Sequence, residues 1–252
     1  MGVKIIYEDK DILAVNKPWG VNTHPDARNR NSLIQEMLKI RPEIKDIGED
    51  KTRPGVVHRL DKNTSGVLIL AKNQKSFEYL KNLFKSRQIK KTYTALLIGK
   101  LGKKAGERGI INMELARSVK NPILRTAKGE TRGALKSAIT EYKIINYFEL
   151  AFAKEKKYFT LIEAYPKTGR THQIRAHFKA LNHPVAGDAL YGNKKINDEL
   201  NAFGLTRQAL HALSLEFTLP SGGRIKIEAG LPYDLKNFLE KLKKQTFVSS
   251  LR

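Results

Sequence analysis

The chain has 252 residues, enough for one large or two small domains with a full hydrophobic core, and carries 47 Lys+Arg against 25 Asp+Glu, a net charge of +22. Such an excess points to an acidic polymer as partner, and RNA or DNA fits it better than a membrane, because no apolar run approaches the ~18 residues of a spanning helix. Cysteine is absent, which excludes disulfides and thiolate chemistry and fits a cytoplasmic protein.

In chain order, "KIIYEDKDILAVNKP" predicts two short strands around an Asp-Lys-Asp turn, closed by Pro18. "NSLIQEMLKI" places Leu33, Ile34, Met37 and Leu38 at helical spacing. "GVVHRL" and "SGVLILAKN" are apolar strands on either side of a polar loop, and Asn73 caps a helix whose face is Phe77, Leu80, Leu83 and Phe84. "KKTYTALLIGK" is a further strand. Residues 101–136 are polar, rich in Gly, Lys and Arg, and weakly patterned, so an irregular connection or RNA-facing flap is expected there. "SAITEYKIINYFEL" and "KKYFTLIEAYP" are strands, and "THQIRAHFKALN" is a short helix. "ALHALSLEFTLP" and "RIKIEAG" add two strands before the amphipathic helix "YDLKNFLEKLKK". About eight strands with a few helices, not in regular alternation, imply an α+β fold with a mixed, largely antiparallel sheet and flanking helices. No linker stands out, so one domain over residues 1–245 with a tail over 246–252 is expected.

Familiar chemistries are excluded by their missing parts. Lys167-Thr168-Gly169 has no Ser-x-x-Lys to accompany it, and no phosphate-binding Gly-x-x-x-x-Gly-Lys-Ser/Thr exists. His172 and His177 are five apart and so face different sides of a helix, while His24, His58, His183 and His211 are scattered. Neither a metal nor a cofactor is expected.

Three segments carry more polar detail than their secondary structure requires. The loop His58-Arg59-Leu60-Asp61-Lys62-Asn63-Thr64-Ser65-Gly66 sets one carboxylate between two cations. Lys91-Thr92-Tyr93-Thr94-Ala95 puts a tyrosine on a strand, and Gly169-Arg170-Thr171-His172-Gln173-Ile174-Arg175 turns into a helix. In these segments the chain resembles the RluA-like family of pseudouridine synthases, and "NKPWGVNTHP", "HPVAGDALYG" and "LHALSLEF" extend the likeness from about residue 11 to 220. Two departures stand out: no amino-terminal S4-type RNA-binding module is seen, and Trp19 occupies a place where small residues are common.

The resemblance implies isomerisation of specific uridines in structured RNA, ribosomal or transfer, without cofactor or metal. Asp61, Tyr93 and Arg175 are the implied catalytic residues, with Arg175 pairing with Asp61. The chemistry suits them. Cleavage of C1′–N1 leaves positive character on the sugar, which a carboxylate can trap as nucleophile, or relieve by taking a C2′ proton. The uracil departs as a stabilised anion, so a paired acid is not required. Tyr93 can stack on the detached base and take part in removing the C5 proton. Arg59 suits the gap left by a flipped base, being planar and able to bond phosphate. His58, Lys91, Arg170 and His172 complete the expected RNA contacts. A monomer with no obligatory protein partner is expected. The rival reading is a catalytically silent RNA-binding protein on the same scaffold, against which stands the presence of all three catalytic residue types.

Overall fold

A computed structural model describes residues 3–26, 31–127, 129–152 and 155–250, without the side chains of residue 152 and residues 247–250. The chain divides into two compact units, Met1–Lys91 with Ala212–Gly230 and Thr92–His211 with Leu231–Arg252. Each unit draws on two stretches of sequence, which is why no linker separates them.

In the first unit, β1 (Lys4–Glu8) and β2 (Ile12–Lys17) form an antiparallel hairpin. Its turn is set by Asp9, whose carboxylate accepts the Asp11 and Ile12 amides at 2.8 and 2.7 Å. Helix α1 (Leu33–Ile40) is capped by Ser32 and buries Leu33, Ile34 and Met37, and a 3-10 turn covers Pro42–Ile44. Strand β3 (Ser65–Ala71) pairs antiparallel with β2 and is buried at all seven positions, which explains its unbroken apolar sequence. Helix α2 (Gln74–Lys85) starts at Asn73, whose side chain accepts the Ser76 amide at 2.8 Å. Glu8 ties three of these elements together. Hydrogen bonds from Arg41 and Lys72 hold its carboxyl down at about 2.

Strand β4 (Lys90–Ile98) opens the second unit. There the sheet order is β4, β10 (Glu155–Pro166), β9 (Ile139–Phe152), β5 (Arg108–Asn112), each pair antiparallel. A separate small sheet places β6 (Leu115–Ser118) between β7 (Arg125–Thr126) and β8 (Thr131–Lys136). Helices α3 (Gln173–Ala180), α4 (Lys194–Ala202) and α5 (Tyr233–Ser250) complete the unit. One core gathers Leu97, Ile144, Ile162, Ile174 and Phe178, and another gathers Phe148, Phe159, Leu200, Phe238 and Leu242. Strands β11 (Leu210–Thr218) and β12 (Arg224–Glu228) return to the first unit, where β11 lies next to β3 and pairs antiparallel with β12. No helix among the described residues is long and apolar enough to cross a membrane.

The α+β, largely antiparallel expectation stands, with twelve strands among the described residues where about eight were read. Two segments depart from the sequence reading. "GVVHRL" is not a strand and makes only one bridge, Val56 to Leu70. The Ile69 amide, which a strand carbonyl would take, is accepted at 2.9 Å by the His58 ring. Residues 101–136 are not irregular, because four strands form within them. Those strands are short, β8 is largely exposed, and β5 and β6 bury only Ile111, Leu115 and Ala116, which leaves no alternation to read. Helix α4 escaped notice because its apolar content is little more than the Ile196/Leu200 pair.

Candidate active site

The Asp61 loop is built by unusual tethers. Lys17, 0% exposed, donates from its ammonium to the carbonyls of Pro18 at 2.8 Å, Val21 at 2.7 Å and Lys62 at 3.2 Å. Thr23 Oγ1 donates to the Leu60 carbonyl and accepts the Leu60 amide, at 3.0 and 3.2 Å. Between these anchors the Thr64 amide donates to the Asp61 carbonyl at 3.0 Å, closing the turn that carries the partly exposed Asp61 side chain. Gly66 then enters β3 with φ +119°, and a Cβ there would fall on the Ala212 carbonyl. Only glycine permits that approach.

Arg59 is exposed, its guanidinium 3.2 Å from the His24 ring. His58 is turned inward. It stacks on Phe84 with ring centroids 4.6 Å apart, accepts the Ile69 amide, and is pushed by burial down to about 3, so its ring is neutral at ordinary pH. It builds the loop instead of meeting phosphate as a cation. Lys91 is also pushed down, to about 8, by burial and by the charge of Arg87.

In the second unit, Tyr93 lies on β4 opposite Ala164 of β10 and packs beside the core of Leu97 and Ile162. Arg175 projects from α3 and is 3% exposed. Its Nε and Nη2 donate to the two carboxylate oxygens of Asp188 at 2.6 and 2.9 Å, and its guanidinium lies 5.0 Å over the Tyr191 ring. Asp188 is 0% exposed and also accepts the amides of Leu190 and Tyr191 at 2.9 and 3.1 Å. The Tyr191 hydroxyl accepts the Arg125 amide of β7 at 2.8 Å and lies 3.1 Å from His172 Nδ1.

His172, at the start of α3, holds a left-handed φ of 56°. Such a conformation is uncommon outside glycine and marks an over-determined turn. The buried Gln173 does the determining. Its oxygen accepts from Thr168 Oγ1 at 2.6 Å and from the Arg170 amide at 3.0 Å, and its nitrogen donates to the Ile139 carbonyl and Thr140 Oγ1, both at 3.0 Å. The Arg170 side chain, exposed, donates to the Ser137 carbonyl at 3.1 Å.

Sequence reasoning missed Asp188, Tyr191, Gln173 and Lys17 as parts of this machinery. All four stand inside quoted motifs. Asp188 had one available signal, since a buried arginine requires a carboxylate and Asp188 stands in the motif that follows the helix.

Residues 11–180 match the family model described as RNA pseudouridylate synthase. The chain is 36% identical over 246 residues to a Bacillus subtilis protein called Uncharacterized RNA pseudouridine synthase YlyB, covering 97% of this chain and 74% of that one. It is 36% identical over 255 residues to ribosomal large subunit pseudouridine synthase D of Yersinia pestis, covering 96% and 71% respectively. The solved structure titled Human RNA Pseudouridylate Synthase Domain Containing 1 superposes with a TM-score of 0.73 at 25% identity, over 94% of this chain and 87% of that one. The matched region contains the Asp61 loop, the Tyr93 strand and the whole of α3, and the chain therefore belongs to the RNA pseudouridylate synthase family of isomerases, in its RluA-like branch.

Proposed function

We propose that this enzyme converts uridine to pseudouridine in ribosomal RNA of the large subunit, with Asp61 acting on the ribose, Tyr93 on the base and Arg175 orienting Asp61. The observation that carries this reading is the family match over residues 11–180, which includes the loop of Asp61 and the strand of Tyr93. The relatives named ribosomal large subunit pseudouridine synthase D support the RNA class.

The reaction needs no net oxidation or outside reactant. The C1′–N1 bond breaks with its electron pair on uracil, and Asp61 meets the deficiency at the sugar, by attack on C1′ or removal of the C2′ proton. The uracil rotates while stacked on Tyr93. C5 then bonds to C1′, displacing the Asp61 carboxylate in the first route or with return of the C2′ proton from Asp61 in the second; the C5 proton leaves through the Tyr93 oxygen or water, and N1 gains a proton. The buried fork between Arg175 and Asp188 supports the positioning role, since a guanidinium locked on one side is preorganised on the other. Arg59 and Arg170, both exposed, suit phosphate contacts.

The test is incubation of unmodified large-subunit ribosomal RNA and of transfer RNA transcripts with wild-type enzyme and Asp61→Asn, without added metal, followed by nucleoside analysis. Pseudouridine in the ribosomal transcript with wild type alone is expected. Modification confined to transfer RNA would overturn the RNA class, and turnover by Asp61→Asn would remove Asp61 from its role.

A further inference from the structure

The loop after β2 carries the only tryptophan of the chain, Trp19, a residue 40% exposed. A single exposed aromatic is ordinary on a protein surface, so the surroundings decide what it means. Here the loop is held rigidly. The buried Lys17 ammonium bonds the Pro18 and Val21 carbonyls, on either side of Trp19-Gly20, and with the same ammonium bonds the carbonyl of Lys62, next to Asp61. Gly20 takes φ +81° between them, giving a tight left-handed turn beside the part-exposed Trp19. Farther along, Thr23 bonds Leu60 twice, and His24 contacts Arg59. Segments 17–24 and 59–62 are therefore tied at three places, and Trp19 stands in the arm fastened to the Asp61 loop.

The chemistry beside it is that of a nucleic-acid contact. Arg59 and Lys62, both exposed, flank the Asp61 loop, and a flat apolar ring near exposed cations fits a base with its neighbouring phosphates. A protein partner fits less well. In the first unit Ile40 is the only other exposed large hydrophobic among the described residues, too little for the apolar centre of a protein interface. A rigid backbone also suits stacking, because little is lost in ordering the ring on binding.

We propose that Trp19 is a stacking platform for an unpaired nucleobase flanking the target uridine. The inference rests on the pseudouridine synthase reading above and adds a base-binding subsite to it. Since Trp19 is the only tryptophan, intrinsic fluorescence reports on it alone.

The experiment titrates the full chain with a mixed-sequence single-stranded RNA and with the duplex formed from its complement, at one salt concentration. In parallel, KM and kcat are measured for wild type, Trp19→Phe and Trp19→Ala on large-subunit ribosomal RNA. Quenching by the single strand and not by the duplex is expected. Loss of base stacking predicts a KM for Trp19→Ala raised about five- to 150-fold, with kcat nearly unchanged and with Trp19→Phe recovering most of the loss. Equal fluorescence responses to strand and duplex, or an unchanged KM in Trp19→Ala, would overturn the proposal. Should Trp19→Ala fail to fold, the fluorescence of wild type with single strand and duplex still decides it. If wild type makes pseudouridine while its fluorescence ignores single strands, only the Trp19 subsite falls. If wild type makes none in any RNA, the parent reading falls, and the subsite with it.

Discussion

Arg175 and Asp188 face each other through a two-pronged hydrogen-bonded fork, 2.6 and 2.9 Å long, with both side chains almost wholly removed from water. A buried ion pair of this kind adds little net stability over an apolar pair, but breaking it leaves a charge stranded in a low-dielectric interior. What the pair supplies is orientation. Arg175 also rests on Tyr191, and Tyr191 is bonded to β7, so the guanidinium is fixed from two directions.

Replacing Asp188 with Asn is expected to lower stability by about 3–5 kcal/mol, because the amide cannot neutralise the guanidinium. The double variant Arg175→Met, Asp188→Leu is expected to recover most of that loss while remaining inactive. Urea denaturation of the two variants beside wild type checks both statements. A single-variant loss under 1 kcal/mol would mean that water reaches the pair.

His58 makes stability pH-dependent. Its folded value, about 3, lies below the usual 6.5 of an imidazole. Below pH 6.5 the unfolded chain binds a proton that the folded chain refuses, so stability falls as pH drops from about 6.5 toward 3. The slope from this residue is at most about 1.4 kcal/mol per pH unit. In His58→Gln the denaturation midpoint should change less between pH 7 and pH 4.5 than in wild type, and identical slopes would reject the assignment. The pH range is kept above the region where protonation of Glu8 begins to release Arg41 and Lys72.

Gly66→Ala is expected to be more damaging than its size suggests. The new methyl would meet the Ala212 backbone, and φ +119° is unfavourable for alanine, so β3 or the Asp61 loop has to shift. A loss of at least the ~1–3 kcal/mol of an overpacked core is expected, together with reduced turnover. Thermal melting and a pseudouridine assay measure the two effects, and a variant that matches wild type in both would show the approach to be yielding.

Tyr93→Phe keeps the ring and deletes the oxygen. RNA binding should remain within a few-fold, while turnover falls by ~10²–10⁴, the usual contribution of a positioned acid or base. Filter binding and tritium release from C5-labelled uridine in RNA separate the two quantities. Release near the wild-type rate would leave Tyr93 as a stacking surface and assign the C5 proton to solvent.

The local elements of this protein follow from local causes. Asn73 starts α2, Asp9 shapes the first turn, and the apolar runs of β3, β4 and β10 announce strands because each is covered by neighbours. The motifs around Asp61, Tyr93 and Arg175 were legible too, since their polar detail exceeds what a strand, loop or helix needs. Other features depend on which distant segments meet. Asp188 is thirteen residues from Arg175, and Tyr191 reaches Arg125 of β7 over sixty-six residues, spacings to which no periodicity corresponds. His58 sits in a motif that suggests contact with RNA, yet the packing of Phe84 and the Ile69 amide gives it an internal role. The strands within residues 101–136 take their hydrogen-bond partners from β9 and from one another, and bury only isolated side chains such as Ile111 and Leu115, too few to write an alternating pattern. Composition and spacing determined the residue types available for the chemistry. Tertiary structure decided which charges would be buried together, because the energy of a buried charge depends on its partner across space and not on its neighbours in sequence.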